Sequence, residues 1–190
     1  MRKAALITGA SDGIGQECAR QMARAGWDVA VHYNSNLAGA ETTARAVTEA
    51  GGRTEIIQAD LSDPMNAQRL MDSYCGAFPR LDALINNAGV VDAASRVEEM
   101  TPERITRMFA INLTTPFLLA GLAARRMSTR HGGDGGVIVN VSSVAARLGA
   151  AGQYVDYASA KAGLDALTKG LAEEVATEGI RVVSIRPGII

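Results

Sequence analysis

The sequence predicts an α/β fold, in which a doubly wound parallel sheet carries helices on both of its faces. Short apolar segments typical of strands alternate along the chain with longer segments of helical periodicity. A glycine-rich turn also joins the first strand to the first helix. Such an alternation gives βαβ units with right-handed crossovers, so the strands are expected to be parallel. With 190 residues, 47% of them hydrophobic, the chain is long enough for one well-buried domain, 1–190.

The individual elements follow from the two periodicities. Apolar runs predict strands near 3–8, 28–33, 54–59, 81–86, 136–142 and 181–186. Helical spacing predicts helices near 13–26, 37–51, 64–77, 102–129 and 154–178. The fourth helix begins after Thr101, because Thr is a favoured N-cap residue and Pro102 suits a first helical turn.

The turn after the first strand contains Gly9, Gly13 and Gly15. Glycines allow a tight turn and a close approach of the backbone to a pyrophosphate, whose charge suits the free N–H groups at a helix N-terminus. The spacing Gly-x-x-x-Gly-x-Gly differs from the common dinucleotide pattern Gly-x-Gly-x-x-Gly. Ordinary βα loops also use glycine, so this turn alone leaves open whether it binds a ligand or only reverses the chain.

Tyr157 and Lys161 are four residues apart in a segment of helical pattern. Positions i and i+4 of a helix lie on one face, about 5–6 Å apart. A nearby cation favours the ionised form of a phenol, which makes the tyrosine a usable general acid/base near neutral pH. The alternative is a helical tyrosine beside a solvated lysine, since such pairs are common on helix surfaces.

Three strand candidates end in small or polar residues, where a strand of an α/β sheet would meet a ligand crevice. The endings are Asn86-Asn87-Ala88-Gly89, Ser142-Ser143 and Arg186-Pro187-Gly188. With the glycine turn and Tyr157-x-x-x-Lys161, these motifs make the chain resemble the short-chain dehydrogenase/reductase family from about Arg2 to Ile190. The resemblance implies a Rossmann-type sheet. The segment Gly152–Tyr157 is similar to glucose 1-dehydrogenase-type members, and the other motifs are shared with 3-oxoacyl-carrier-protein reductases.

The resemblance implies a role for four residues in catalysis. Tyr157 would exchange a proton with the substrate oxygen, and Lys161 would support its ionisation and bind the nicotinamide ribose. Ser143 would hold the substrate oxygen, with the neighbouring Ser142 as the rival candidate. Asn112 would help to hold Lys161 through water, or else it is only a polar residue that caps or kinks a long helix.

The resemblance also implies a nicotinamide dinucleotide cofactor. The glycine turn would surround the pyrophosphate, the pair after the third strand would meet the adenine, and the fourth strand's ending would line the cofactor path. The implied cofactor residues are Gly9, Ser11, Asp12, Gly13, Ile14, Gly15, Asn34, Ser35, Asp60, Leu61, Asn87, Ala88, Gly89, Tyr157, Lys161, Pro187 and Gly188.

NADP is the expected cofactor, with NAD as the alternative. Folds that prefer NAD usually carry an acid about 20 residues past the glycine turn. Here the second strand ends in Asn34-Ser35-Asn36, with no acid. The Asn34 amide, the Ser35 hydroxyl and the following helix N-terminus would suit a 2′-phosphate. Asp12 favours NAD, because NADP-dependent relatives often carry Arg or Lys at that position.

Composition argues against several other classes of protein. Nineteen basic and twenty acidic residues give a net charge of −1, which provides no surplus for nucleic acid or an anionic membrane. We expect no stretch approaching the ~20 apolar residues of a membrane helix. No secretory leader is expected before the first strand, so the cytoplasm is the expected location. The two cysteines and two histidines lack metal-ligand spacing, and no metal site is expected.

The expected function is an NAD(P)(H)-dependent oxidoreductase that interconverts a hydroxyl and a carbonyl, with the substrate unassigned and sugars and 3-oxoacyl compounds as candidate types. The alternative is a dinucleotide-binding sensor or partner subunit without turnover. Family members continue past Pro187-Gly188 with a substrate-covering segment, a last strand and a last helix, so these are expected to be missing. The resemblance implies a homotetramer at full length, with the apolar stripe of the helix near 102–129 as core or interface.

Overall fold

A six-stranded parallel sheet forms the centre of the protein, as seen in a computed structural model that describes residues 2–188. The sheet has the spatial order β3-β2-β1-β4-β5-β6, and every neighbouring pair is parallel. Its strands are β1 (Ala4–Ile7), β2 (Asp28–Tyr33), β3 (Thr54–Gln58), β4 (Ala83–Asn86), β5 (Gly136–Val141) and β6 (Ile180–Ile185). The predicted doubly wound fold is therefore confirmed.

Helices cover both faces of this sheet. They are α1 (Gly13–Arg24), α2 (Leu37–Glu49), α3 (Asn66–Ala77), α4 (Pro102–Phe109), α5 (Thr115–Met127), α6 (Ala145–Leu148) and α7 (Val155–Glu174). A π turn (Ala110–Thr114) separates α4 from α5, and short 3₁₀ turns occupy Val97–Glu99 and Thr129–His131. The sequence predicted one helix near 102–129 where the structure has two joined by the π turn, and it did not predict α6.

The sheet is buried on both faces, as expected for a parallel sheet covered by helices. All four residues of β1 are buried. Side chains alternate along a strand, so Leu6 packs into one hydrophobic cluster and Ile7 into the other, on the opposite face. The strand that precedes the glycine turn is thereby held rigidly in the middle of the protein.

The strand order reverses between β1 and β4, which leaves a crevice outside their carboxyl ends. Thr8 ties the two strand ends together at this point. Its hydroxyl oxygen accepts hydrogen bonds of 3.0 Å from the backbone N–H groups of Asn87 and Ala88. The glycine turn after β1 and the segment after β4 therefore share one edge of the sheet.

One helical run among the described residues, Pro102–Met127, is long and apolar enough by length and composition to cross a membrane. This run is longer and more apolar than the sequence analysis expected of any segment. Its α5 half packs in the core through Leu119, Ala120 and Ala123, which are fully buried. This is the arrangement of a core helix in a folded domain.

Candidate active site

The glycine turn is shaped by backbone conformations and contacts that require glycine. Gly9 has φ +63°, in the left-handed region. A Cβ added to Gly15 would overlap the carbonyl oxygen of Gly9 and the side-chain amide of Asn87. That amide donates hydrogen bonds of 2.9 Å to the carbonyls of Thr8 and Gly9. The turn, the first residues of α1 and the segment after β4 thus form one closely packed cradle.

His32 reinforces this cradle from below. It is 1% exposed, its Nδ1 accepts the N–H of Gly9 at 3.0 Å, and its Nε2 lies 3.0 Å from the carbonyl oxygen of Ala59. Because Nδ1 accepts, Nε2 carries the proton and donates it to Ala59. Burial lowers the pKa of His32 to about 4, against an opposing hydrogen bond to Ala59, so the imidazole is neutral. This role was not predictable from the sequence, since nothing local links His32 to Gly9.

A cavity of about 510 Å³ runs along the crevice above this cradle. It brings together many of the predicted cofactor residues, namely Gly9, Ser11, Asp12, Ile14, Asn34, Ser35, Asp60, Leu61, Asn87, Ala88 and Gly89. It is also lined by residues that the sequence did not suggest, namely His32, Asn36, Val90, Arg107 and Ile111. Gly13 and Gly15 do not line it and shape the turn behind it.

Two contacts fix the far end of this cavity, after β3. The carboxylate of Asp60 accepts the N–H of Ser62 at 2.9 Å, and this bond holds the pKa of Asp60 below its ordinary value. The hydroxyl of Thr115, at the start of α5, donates to the carbonyl of Leu61 at 2.9 Å. The pair that was predicted to meet the adenine is therefore fixed in place before any ligand binds.

A second cavity, of about 240 Å³, adjoins the first and shares Ile14, Asn87, Gly89 and Val90 with it. Its other lining residues include the predicted catalytic group and the last predicted cofactor residues, namely Ser142, Ser143, Tyr157, Lys161, Pro187 and Gly188. The shared residues make the two cavities one continuous path from the glycine turn to Tyr157.

Lys161 is buried beneath Tyr157. Its side-chain nitrogen donates to the carbonyl oxygen of Val141 at 2.8 Å and lies 5.6 Å from the centre of the Tyr157 ring. Burial lowers the pKa of Lys161 to about 8, although Asp165 opposes this shift. A Cβ added to Gly89 would be 3.3 Å from the lysine nitrogen and 2.9 Å from Oδ1 of Asn112. Glycine at position 89 lets both side chains approach the loop after β4.

Asn112 lies in the π turn, as the helix-kinking interpretation of this residue expects. Its side-chain amide also holds the loop after β4. Nδ2 donates to the carbonyls of Val90 and Met108 at 2.9 and 3.0 Å, and Oδ1 accepts the N–H of Val90 at 3.3 Å. The π turn thus aims a fully buried amide at the segment that lines both cavities.

The two candidate serines differ in their hydrogen bonds. Ser142 is buried, and its hydroxyl donates to the carbonyl oxygen of Lys161 at 3.3 Å. The hydroxyl oxygen of the half-buried Ser143 instead accepts the N–H of Ala145 at 3.1 Å. The hydroxyl proton of Ser143 is therefore available to a ligand in the second cavity, whereas the hydroxyl proton of Ser142 is already used in a hydrogen bond within the protein.

The path has the features that a dinucleotide requires. The glycine cradle leaves room for a pyrophosphate against the N-terminus of the twelve-residue helix α1. The two cavities together extend from Asp60 to Tyr157. Within residues 2–188, no three His, Cys, Asp or Glu side chains are grouped so that they could hold a metal ion, and the thiols of Cys18 and Cys75 are free. The residues present thus fit an organic cofactor.

Comparison with known proteins agrees with this geometry. The family model described as short chain dehydrogenase matches residues 3–190. The chain belongs to the short-chain dehydrogenase/reductase family. The resemblance inferred from the motifs is therefore confirmed.

Curated relatives of this dehydrogenase span most of its length. An uncharacterized oxidoreductase of Escherichia coli K12, YgfF, is 46% identical over 186 residues, which are 98% of this chain and 75% of the relative. Both kinds of relative expected from the motifs are present. Glucose 1-dehydrogenase 2 of Bacillus subtilis is 33% identical over 99% of this chain and 72% of its own. A 3-oxoacyl-[acyl-carrier-protein] reductase of Synechocystis is 33% identical over 98% of this chain and 73% of its own.

Solved structures of similar fold include enzymes of the same chemistry. Acetoin dehydrogenase from Enterobacter cloacae has a TM-score of 0.92 and 35% identity, over 99% of this chain and 73% of that one. The angucycline C-6 ketoreductase LanV with bound NADP has a TM-score of 0.87 and 36% identity, over 97% of this chain and 72% of that one. The chain is therefore an oxidoreductase of alcohols and carbonyls that binds a nicotinamide dinucleotide.

Proposed function

We propose that this short-chain dehydrogenase/reductase interconverts a hydroxyl and a carbonyl with Tyr157 as the acid/base and with NADP(H) as the preferred cofactor. The observation that carries the proposal is the second cavity, where Ser143, Tyr157 and Lys161 line one space that continues into the dinucleotide crevice. A substrate carbonyl in this space would have a proton donor and a hydrogen-bond donor beside it.

Each of these residues has a distinct task in the proposed reaction. When a carbonyl is reduced, Tyr157 gives the proton of its Oη to the substrate oxygen, and in the oxidation it takes that proton back. Ser143 donates a hydrogen bond to the same oxygen while negative charge develops there. The nicotinamide supplies or accepts the hydride when it is bound. The cation of Lys161, which is held away from water, favours the ionised phenol.

The other predicted residues hold the cofactor in this proposal. The cradle of Gly9, Gly13 and Gly15 receives the pyrophosphate, and Asp60 and Leu61 receive the adenine. Lys161 also reaches toward the nicotinamide ribose, with Asn112 acting on it through water. The remaining cofactor contacts come from Ser11, Asp12, Ile14, Asn34, Ser35, Asn87, Ala88, Gly89, Pro187 and Gly188.

Three observations bear on the preference for NADP. Asn34 and Ser35 line the first cavity at the end of β2, where no acid would repel a 2′-phosphate. Asn36 caps the thirteen-residue helix α2, accepting the N–H of Gly39 at 2.9 Å, and it lines the same cavity, so the positive end of the α2 dipole faces the place of an anion there. Asp12 lines the same cavity and acts against the phosphate, which keeps NAD as the second candidate.

Substitution of Tyr157 tests the proposed chemistry. We expect Tyr157→Phe to lower kcat by about 10²-fold or more, because the proton relay is lost, while the cofactor dissociation constant is nearly unchanged. Sugars, 3-oxoacyl thioesters and small ketones should be screened as substrates with both cofactors. Tyr154→Phe, three residues earlier, is the matched control and should behave like the parent. Near-normal turnover of Tyr157→Phe would overturn the assignment, and cofactor binding by a parent protein without turnover on any of these substrates would support a sensor.

We further propose that the protein works in the cytoplasm and that it is a homotetramer at full length. The support is the exposed apolar surface of α4 and α5, where Ile105, Phe117 and Leu118 face outward and Phe117 is 54% exposed. A self-complementary surface of this kind favours pairing about a two-fold axis. Light scattering of the full-length protein should give a tetramer, and Phe117→Glu in that protein should give a smaller species. An unchanged mass would exclude this surface from the assembly.

A further inference from the structure

Arg104 and Asp156 form a partly buried ion pair next to Tyr157. Nε of Arg104 lies 2.8 Å from Oδ2 of Asp156, and its Nη2 lies 3.4 Å from Oδ1. The two side chains are only 14% and 2% exposed. Asp156 immediately precedes Tyr157 at the start of α7, and its Oδ1 accepts the backbone N–H of Tyr157 at 2.9 Å. The carboxylate of the pair therefore holds the backbone of the residue that carries the proposed chemistry.

The same arginine reaches the loop that lines the cofactor path. Its Nη1 donates to the carbonyl of Ala93 at 2.8 Å, in the segment that follows β4. A second hydrogen bond joins that segment to the residues just before α7, because the N–H of Ser95 donates to the carbonyl of Gln153 at 2.9 Å. Arg104 thus joins three parts of the site, which are α4, the loop after β4 and the start of α7.

The ionisation of Asp156 depends on this pairing. Burial alone would raise the pKa of the Asp156 carboxyl, but hydrogen bonds from Arg104 and from the backbone of Tyr157 outweigh burial and hold the pKa below its ordinary value. The carboxylate and the guanidinium are therefore both charged and cancel each other at close range. Removal of either group would leave one uncompensated charge beside Tyr157.

Other charged groups surround the start of α7. Lys161 and Asp165 lie on α7 itself, and Arg147 lies on α6, which packs against α7. Arg107 on α4 pairs at 3.7 Å with Asp92, which lies in the loop after β4. Among the described residues, the ion pairs of Asp156 involve Arg104 alone. Lys161, with its nitrogen 5.6 Å from the ring centre, is the cation beneath the phenol, and the Arg104–Asp156 pair is the ion pair that contacts the backbone of Tyr157.

We propose that Arg104 and Asp156 are positioning residues that keep the surroundings of Tyr157 electrically balanced and hold its backbone against the loop after β4. This inference rests on the proposed role of Tyr157. A partly buried pair of opposite charges contributes little to net stability compared with apolar residues of similar size. Its placement beside the acid/base gives it a function that an apolar contact would not provide.

The proposal predicts opposite effects for the two single substitutions. Asp156→Asn leaves the Arg104 cation unbalanced, so the phenol of Tyr157 should ionise at lower pH. Arg104→Gln leaves the carboxylate unbalanced, so the phenol should ionise at higher pH. Solvent weakens the effect of a single charge at a partly exposed site, so each shift should be about half a pH unit or less. The double variant Arg104→Gln/Asp156→Asn removes both charges and should return the titration close to that of the parent.

The phenol titration can be measured without turnover. The near-ultraviolet absorbance of each cofactor-free protein is followed against pH, and the signal of Tyr157 is obtained by subtraction of the same titration in a Tyr157→Phe background. The pH profile of kcat/KM should show the same pattern of shifts. Arg96→Gln and Glu98→Gln, which break an exposed ion pair on the protein surface, are the matched controls and should leave both profiles unchanged.

The outcomes separate this inference from the proposed function. Opposite shifts that cancel in the double variant support it, and shifts of the same sign, or none, overturn it. If a single variant does not fold, Arg104→Lys and the double variant test the inference. Arg104→Lys keeps a cation beside the Asp156 carboxylate, and the double variant removes both charges. Arg104→Lys keeps the cation and should shift the titration less than Arg104→Gln does. Turnover that survives Tyr157→Phe would instead refute the role of Tyr157 itself.

Discussion

The side-chain nitrogen of Lys161 lies 2.8 Å from the carbonyl oxygen of Val141, at the end of β5. The lysine is only 3% exposed, so an ammonium has been brought into the protein with a backbone carbonyl as its close partner. Burial of a cation costs free energy. In this position the cost is connected to function, because the same nitrogen lies beneath the Tyr157 ring.

Lys161→Met should therefore stabilise the protein at neutral pH while it removes activity. Lys161 has a pKa of about 8 in the folded protein, below its ordinary value of 10.5. The unfolded chain binds the proton more tightly, so the penalty is complete below pH 8 and disappears as the pH rises to 10.5. We expect Met to add about 1–3 kcal/mol to the free energy of unfolding at pH 7, after allowance for the lost hydrogen bond to Val141.

Urea unfolding at pH 7 and pH 10 measures this effect. The advantage of Met should be large at the first pH and smaller at the second. Lys169→Met, at an exposed position on the same helix, is the control and should change stability little. A net loss of stability in Lys161→Met at pH 7 would contradict the prediction.

His32 should make the protein sensitive to mild acid. Its folded pKa of about 4 lies below the ordinary 6.5, so the stability it confers is complete above pH 6.5 and is lost as the pH falls to 4. A difference of this size corresponds to about 3 kcal/mol. His32→Asn keeps an acceptor for the N–H of Gly9 and does not titrate, so the loss between pH 6.5 and 4 should become smaller.

Thermal melts across that pH range provide the measurement. His131→Asn is the control, because His131 is exposed in the loop before β5. Equal acid sensitivity in the parent and His32→Asn would show that other groups control it. A fall in cofactor affinity over the same pH range is also expected, since protonated Nδ1 can no longer accept the N–H of the glycine turn.

Gly15→Ala should impair cofactor binding through the fold of the cradle. The new methyl group would overlap the Gly9 carbonyl and the Asn87 amide, neither of which can move without disturbing the turn. We expect at least a tenfold rise in the cofactor dissociation constant, which corresponds to about 1.4 kcal/mol. Gly121→Ala, in α5, meets no atom within 4 Å and should leave binding unchanged. Cofactor titration monitored by fluorescence distinguishes the two, and equal affinities would refute the prediction.

Asn34→Asp should move cofactor preference toward NAD. A carboxylate at the end of β2 would accept the ribose 2′-hydroxyl but repel a 2′-phosphate. Dissociation constants for NADP and NAD should be measured for the parent and the variant. Gln68→Glu, at an exposed position of α3 outside the first cavity, controls for added charge. If the ratio of the two constants does not change, the discriminating residues lie elsewhere.

The sequence revealed those features that are local or that recur at regular intervals. The strand and helix positions follow from periodicity, and every predicted strand is found within two residues at each end. The glycine turn and the Tyr157–Lys161 spacing are also local patterns. The order of these motifs along the chain was then sufficient to indicate the family.

Features that depend on distant partners were not predictable in this way. Arg104 and Asp156 are 52 positions apart, and no local pattern joins them. In the sequence, His32 looks like any other residue of a strand. Only the folded sheet places its ring within hydrogen-bonding distance of Gly9. The difference between Ser142 and Ser143 depends on which hydroxyl points into the fold, and at the end of a strand the alternation of side chains no longer settles the direction.

The π turn between α4 and α5 has a consequence for how the chain tolerates change in length. A wider turn accommodates an additional residue, and one residue corresponds to about 100° of rotation in a regular helix. The turn therefore puts α4 out of phase with α5, so that α4 packs on α7 while α5 packs on α3 and the sheet. Deletion of a single residue from Ala110–Thr114 would bring the two halves into phase and swing Arg104 away from Asp156. The extra residue of the π turn thus lets one helical run pack on the core with one half and on the catalytic helix with the other.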